Sequence, residues 1–273
     1  MLAEWSLMTD LITSAANPLI KRVRLLASRR HRRREGAFVV RGVQPVWQAV
    51  EAGADIEALI VAPDLLRGPA ATMVAEQEAR GVRVARLSAE LFGRIADRDG
   101  PAGLAAIVRK RAATLGGLIV RPDSVFAALH EVANPGNLGT IIRTASAAGA
   151  AGVILVGQST DPHDPAAVKA SMGAVFSVPV ATVATPADLL RWCRKQGIAV
   201  AVTSGSGPGS LWETALPVPL ALLFGSEGAG LPDELLEAGD LRLRIPMTGT
   251  AESLNLAVAA GVLLYEAWRQ LRR

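Results

Sequence analysis

The chain is expected to fold as two α/β units, the second a mainly parallel sheet with helices on both faces. Three observations predict this. Half of the 273 residues are hydrophobic, which suits one large or two modest domains. In the second half, apolar runs of strand length at residues 125–132, 152–156, 178–183, 198–202, 220–224 and 241–245 alternate with helical segments. Such alternation implies parallel strands covered by helices. A shorter alternation precedes it, and Thr114-Leu-Gly-Gly-Leu118 interrupts the pattern, placing a boundary near residues 110–120.

Taken in order, residues 1–14 carry little pattern and read as a loose end. Asn17-Pro-Leu-Ile-Lys21 opens a helix, with Asn17 as cap and Pro18 in the first turn. Residues 37–40 and 56–61 read as strands, with residues 43–52 helical between them. Residues 70–80 read as a helix, and residues 82–85 and 104–108 as strands. The last stretch, residues 245–268, begins at the end of a strand. Pro246 stops the ladder because it has no N–H. Ser253-Leu-Asn255 then leads into an apolar helix, whose face is expected at Leu254, Ala257, Gly261, Leu264 and Trp268. Ser253 and Asn255 stand where helix N–H groups lack partners, so they can cap the turn or hold a polar ligand.

Charge is unevenly divided. Residues 1–115 hold 18 Lys and Arg against 12 Asp and Glu, and residues 116–273 hold 11 against 13. Residues 21–34 contain eight basic residues and no acidic one. Lys21, Arg22, Arg29, Arg30, Arg32, Arg33 and Arg34 are therefore candidate contacts to the phosphates of a nucleic acid; a solvated helix face is the alternative. Such contacts supply affinity but read no sequence.

Ligands of open α/β sheets bind beyond the carboxyl ends of the strands, and three unusual stretches lie there. Asn134-Pro-Gly-Asn137 opens a helix, with Asn137 a candidate cap. Arg143 follows six residues on, roughly 9 Å along the axis. Arg143 either grips a phosphate or carboxylate through two parallel hydrogen bonds or forms a structural salt bridge. Gly225-Ser-Glu227-Gly228-Ala-Gly230 is a Gly-rich loop that brings main-chain groups close to a flat ligand. The third stretch is residues 246–255. Gly205-Ser-Gly207-Pro-Gly209-Ser210, by contrast, carries a proline and lacks the last glycine of a dinucleotide fingerprint, and reads as a turn.

Other chemistries find little support. Cys193 is the single cysteine, which excludes an intrachain disulfide and any multi-cysteine metal site. His31, His130 and His163 form no ligand pair, so no metal is expected. No Gly-x-Ser-x-Gly elbow or P-loop ending is present. No run is long enough to span a bilayer and no secretory signal is evident, so a cytoplasmic protein is expected.

Together, Asn134-Pro-Gly-Asn-Leu-Gly-Thr-Ile-Ile-Arg-Thr-Ala145, Leu223-Phe-Gly-Ser-Glu-Gly-Ala-Gly-Leu231 and Ile245-Pro-Met-Thr-Gly-Thr-Ala-Glu-Ser-Leu-Asn255 resemble the three motifs of the SpoU (TrmH) RNA ribose 2′-O-methyltransferases of the SPOUT class. Lys169-Ala-Ser-Met-Gly-Ala174 is similar to a further family segment. The N-terminal part, through Phe38-Val-Val-Arg-Gly42 and Pro101-Ala-Gly-Leu-Ala-Ala106, resembles the family's L30e-like RNA substrate-binding domain. Arg41 stands where the family usually has Glu, and Ala102 where it has Gln. The resemblance implies an L30e-like domain with a flexible N-terminus over residues 1–112, a linker over 113–120, and a methyltransferase domain over 121–273. That domain would carry a deep trefoil knot at its C-terminal end, an exception to the rule against knots.

It further implies a homodimer with sites at its interface, S-adenosylmethionine as methyl donor, and a structured RNA as substrate, rRNA before tRNA. A non-catalytic RNA-binding protein keeping the fold is the rival reading. Leu223, Gly225, Ile245, Met247, Ser253 and Leu254 are the implied cofactor contacts. Arg143, Asn137, Glu227 and Asn255 are the implied catalytic group. A guanidinium has a pKa above about 12 and does not act as a base. Arg143 is thus expected to hold a phosphate and stabilise a developing alkoxide. Asn137 and Asn255 would orient it or the ribose, and Glu227 would position Arg143, within the chain or across the dimer.

Overall fold

The computed structural model describes residues 11–96, 102–111, 113–205 and 207–272. Most of the N-terminal stretch expected to be loose, with Pro101, Ala112 and Ser206, lies outside them. The chain divides into two compact units: residues 1–110 with His163–Pro165, and residues 111–162 with 166–273.

The first unit runs α1 (Pro18–Leu25), α2 (Arg29–Glu35), β1 (Ala37–Arg41), α3 (Val43–Glu51), β2 (Ile56–Val61), α4 (Pro69–Ala79), β3 (Arg83–Arg86), α5 (Ala89–Gly93) and β4 (Leu104–Arg109). The strand order is β1-β4-β2-β3. β4 pairs antiparallel with both β1 and β2, whereas β2 and β3 are parallel. Asn17 caps α1 by accepting from Leu19 N–H at 2.9 Å. Leu19, Ile20 and Val23 of α1 are buried in a core with Val39, Ile60 and Ile107 from the strands. The basic run is not one helix. It breaks at Ala27 and Ser28, and Gly36 ends α2 in the left-handed conformation at φ +63°.

That break is held by Arg32. Its side chain is 1% exposed. It donates to the carbonyls of Leu26 and Ala27 at 3.2 and 2.6 Å, and to Asp164 at 3.2 Å. Arg32→Ala is expected to lower thermal stability by about 2–4 kcal/mol, because carbonyls and a carboxylate lose a buried charged donor. Arg33→Ala, one residue on and exposed, is expected to stay within about 0.5 kcal/mol. Equal melting temperatures for the two variants would refute this assignment.

The second unit contains β5 (Val125–His130), α6 (Pro135–Ala147), β6 (Gly152–Val156), α7 (Pro165–Ser171), β7 (Val180–Val183), α8 (Pro186–Gln196), β8 (Ala199–Thr203), β9 (Gly209–Ser210), β10 (Leu220–Phe224), α9 (Asp233–Ala238), β11 (Leu241–Arg244) and α10 (Leu256–Leu271). The first residue of α7, Pro165, clusters with the first unit. The seven strands are all parallel, in the order β7-β6-β5-β10-β8-β11-β9. β5, β6 and β10 are buried along their whole length, as a sheet covered on both faces requires. One face packs α6 and α10 through Leu138, Ile141, Leu263 and Leu264. The other packs α8 and α9 through Leu189, Cys193 and Leu235.

Two expectations need correcting, at residues 209–210 and on α10. Residues 113–120 lie within the second unit: Ala113, Leu115, Leu118 and Val120 pack into the core against α8, and Ala113 bridges to Ala181 of β7. Short apolar residues spaced between glycines are enough to cover a sheet edge, which a break in periodicity does not reveal. Residues 209–210, read as part of a turn, form the edge strand β9. The buried face of α10 is Ala257, Ala260, Leu263, Leu264, Glu266 and Ala267, so Trp268 lies outside it, as does Leu254, which precedes the helix. The helix is apolar on two faces, and spacing alone selected a line between them.

Candidate active site

The polar centre of the second unit lies where the strand order reverses, between the carboxyl ends of β5 and β10. The chain leaves β5 toward β6 and β7, crosses to β8 and β9 on the other side, and then inserts β10 between β8 and β5, which opens a crevice at that point. Asn134 begins α6 there. Its side chain accepts from the N–H groups of Gly136 and Asn137 at 2.8 and 3.1 Å, so Asn134, not Asn137, is the helix cap. With its own N–H held by that cap, the Asn137 side chain is left to reach across the crevice. It donates to Glu227 at 3.2 Å and accepts from the Asn255 amide at 3.2 Å. The Glu227 carboxylate also accepts from the N–H groups of Ala133 and Asn134 at 3.4 and 3.2 Å. Asn255 in turn caps α10, accepting from Ala257 N–H at 2.9 Å. Residues from three separate strand ends are thereby tied in one chain of hydrogen bonds.

Burial acts to raise the Glu227 carboxyl, but hydrogen bonds from its own N–H, from Asn137, and from Ala133 and Asn134 outweigh it and hold the group below its ordinary range. A depressed pKa means that the tie stabilises the fold above the unfolded value and is lost only as pH falls through the folded one. A side-chain carbon NMR titration of Glu227 is expected to show a midpoint below the ordinary 4.5. A midpoint at or above that value would contradict the network.

The Gly-rich loop after β10 is closed on itself. Ser226 and Gly230 exchange both main-chain hydrogen bonds at 3.1 Å. A Cβ added to Gly225 would fall on the Gly230 carbonyl, so only glycine permits this approach. The loop forms one wall of a cleft of about 670 Å³, opposite Ile245, Met247, Ser253 and Leu254. Five of the six expected cofactor contacts line this cleft. The sixth, Leu223, does not: its side chain is buried in the core facing α8 and α9, and its carbonyl accepts from the Thr203 hydroxyl at 3.2 Å. Thr203, Ser204 and Gly205 also line the cleft and escaped sequence reasoning. The available signal was a fourth strand end, that of β8, followed by small residues.

Arg143 projects from the exposed stripe of α6. Among the described residues its side chain makes no hydrogen bond or ion pair, which leaves its five donors for a ligand. The expected contact with Glu227 is absent within the chain, because that carboxylate is engaged by Asn137 and the main chain. Of the seven basic candidates, Arg32 is buried as described, and Arg22 pairs with Glu35 and Glu57 at 2.8 and 2.7 Å. Both are corrections, since acidic partners distant in sequence claim these groups. Lys21, Arg29, Arg30, Arg33 and Arg34 are exposed. Among the described residues no group of three or more acidic, His or Cys side chains suits a metal ion, and no helix is long and apolar enough to cross a membrane.

A model of the SpoU rRNA Methylase family matches residues 124–265. The chain belongs to the SpoU rRNA methylase family. A model of the MRM3-like substrate binding domain matches residues 17–106 of this SpoU chain. A 23S rRNA (uridine(2479)-2′-O)-methyltransferase of Streptomyces viridochromogenes is 34% identical over 261 residues, covering 90% of this chain and 87% of the relative. The 23S rRNA (guanosine(2553)-2′-O)-methyltransferase RlmP of Bacillus subtilis is 29% identical, covering 93% and 97%. The crystal structure of an AdoMet-bound rRNA methyltransferase from Sinorhizobium meliloti superposes with a TM-score of 0.87 at 38% identity, covering 95% of this chain and 97% of that one. Its cofactor is S-adenosylmethionine. The cleft of this SpoU chain suits such a group, since glycine backbone at Gly225, Gly228 and Gly230 lines it together with both apolar side chains, such as Ile245 and Met247, and polar ones, such as Ser253 and Asn255.

Proposed function

We propose that this chain transfers a methyl group from S-adenosylmethionine to a ribose 2′-hydroxyl of 23S rRNA. The observation that carries the reading is the hydrogen-bonded chain Glu227–Asn137–Asn255 at the mouth of the cleft, on the helix that presents Arg143 without an internal partner. S-adenosylmethionine held in the cleft supplies an activated methyl group. Gly225, Ile245, Met247, Ser253 and Leu254 form its walls. Arg143 grips a phosphate next to the target ribose, and its fixed charge stabilises the negative charge on the 2′-oxygen as the hydroxyl passes its proton to solvent water. Asn137 and Asn255 fix the ends of α6 and α10, so that the acceptor is held in line and less entropy is lost at the reacting step. The exposed cations Lys21, Arg29, Arg30, Arg33 and Arg34 hold the RNA backbone. Relatives that align along nearly the whole chain and act on 23S rRNA support rRNA as the substrate, and with it the cytoplasm as the compartment.

The reading includes a deep trefoil knot, supported by the loops at residues 225–231 and 245–255 lining one cleft. It also includes a homodimer. The outer face of α10 leaves Val258, Tyr265, Trp268 and Leu271 at 52, 47, 39 and 39% exposure, a larger apolar line than one chain needs. The Tyr265→Asp/Trp268→Asp double variant is expected to convert a particle of two 28.5 kDa chains into single chains by light scattering. An unchanged mass would exclude this face as the interface.

The function is tested by mapping 2′-O-methyl marks in RNA from cells with and without the gene. One 23S mark lost on deletion and restored by the wild-type gene is expected. Loss of no mark would overturn the reading in favour of a non-catalytic RNA-binding protein.

A further inference from the structure

β11 carries two arginines, Arg242 and Arg244, next to the sheet edge. Alternation along the strand sends Leu241 and Leu243 into the core packed by α6 and α10, so both arginines face the opposite side of the sheet. They stand roughly 7 Å apart along the strand, two residues at about 3.3 Å each. Both are half-buried. Neither side chain makes a hydrogen bond or an ion pair with any described residue. The carboxylates of α9 on that side, Asp233, Glu234 and Glu237, pair with neither, and Asp240 is engaged by Val200 N–H at 2.7 Å.

This is an unusual place for two uncompensated cations. Partial burial of like charges side by side is unfavourable unless an anion joins them. Elsewhere the chain pairs its half-buried arginines: Arg22 with Glu35 and Glu57, and Arg86 with Glu78 through two bonds at 3.0 and 2.7 Å. Residues 116–273 are net acidic by 11 Lys and Arg against 13 Asp and Glu, so general basicity does not explain the pair. The Arg242 stem packs closely on Gly207, where an added Cβ would come within 3.3 Å of it, so the stem is held in place while the guanidinium stays unpaired. Arg244 directly precedes Ile245, a wall of the cofactor cleft.

We infer that Arg242 and Arg244 form a second phosphate-binding site, on the methyltransferase unit itself, which holds the backbone of the RNA substrate beside the cleft. The inference rests on the proposed RNA substrate and adds a contact surface separate from the basic helices of the first unit. Two guanidinium forks one strand-pleat apart suit successive phosphate groups of one strand. The contacts supply affinity and register and read no base.

The test is the salt dependence of binding of a 23S rRNA transcript by the full chain. In the R242Q/R244Q variant the slope of log K against log salt is expected to become shallower by about 1.4–1.8, since each phosphate contact contributes about 0.7–0.9. Each single variant should change it by half as much, and these decide the matter if the double variant unfolds. R242K/R244K retains the charges and is expected to keep the wild-type slope. S-adenosylmethionine affinity and melting temperature should not change in the single variants. A wild-type slope in R242Q and R244Q overturns the inference whether or not methyl transfer is observed. Wild-type chain that shows the expected slopes but transfers no methyl group overturns the methyltransferase reading and supports this one.

Discussion

Arg143→Ala is expected to lower methyl transfer by about 10²–10³-fold, the usual effect of removing one preorganised charge-stabilising donor. Its melting temperature and S-adenosylmethionine affinity are expected to match the wild type, because Arg143 is exposed and has no partner among the described residues. The two readouts separate a catalytic role from a structural one. Arg143→Lys keeps the charge but replaces a planar fork with a single ammonium, so it should recover only part of the loss. Single-turnover assays on a methylatable RNA, with cofactor binding followed by calorimetry, make the comparison. Near-normal turnover in the Lys variant would exclude a two-bond grip. Normal turnover in the Ala variant would remove Arg143 from the mechanism.

Gly225→Ala is expected to abolish tight cofactor binding. The new methyl group would fall on the Gly230 carbonyl, backbone that cannot swing aside as a side chain can. To admit it, the mutual hydrogen bonds of Ser226 and Gly230 must open, and with them the wall of the cleft. Overpacking of this kind costs about 1–3 kcal/mol, and two hydrogen bonds add to it. Since 1.4 kcal/mol is a factor of ten, S-adenosylmethionine affinity should fall on the order of a hundredfold. Gly228→Ala in the same loop, where an added Cβ meets nothing within 4 Å, should leave the melting temperature unchanged. Cofactor affinity within about threefold of wild type for Gly225→Ala would show that the loop is not the wall proposed.

The sheet, its parallel sense and the positions of the strand ends were determined by the sequence itself. Fully apolar runs such as Leu220–Phe224 have one stable location, a strand buried on both faces, and alternation with helices leaves them parallel. The motifs at Asn134, Gly225 and Ser253 were legible for the same reason: residues with special backbone or capping roles interrupt apolar periodicity.

Tertiary structure decided which side chains meet. Sequence spacing carries no information about partners 90 or more positions apart. Glu227 lies at hydrogen-bonding distance from Asn137 and not from Arg143, which only the return of β10 beside β5 determines. Arg32 and Arg33 are neighbours in a run of identical chemistry. A helix turns by about 100° per residue, so one is buried against carbonyls while the other faces water. Burial, not composition, thus divided the basic cluster into buried or paired charges and exposed ones, and left the Arg242 and Arg244 side chains unpaired.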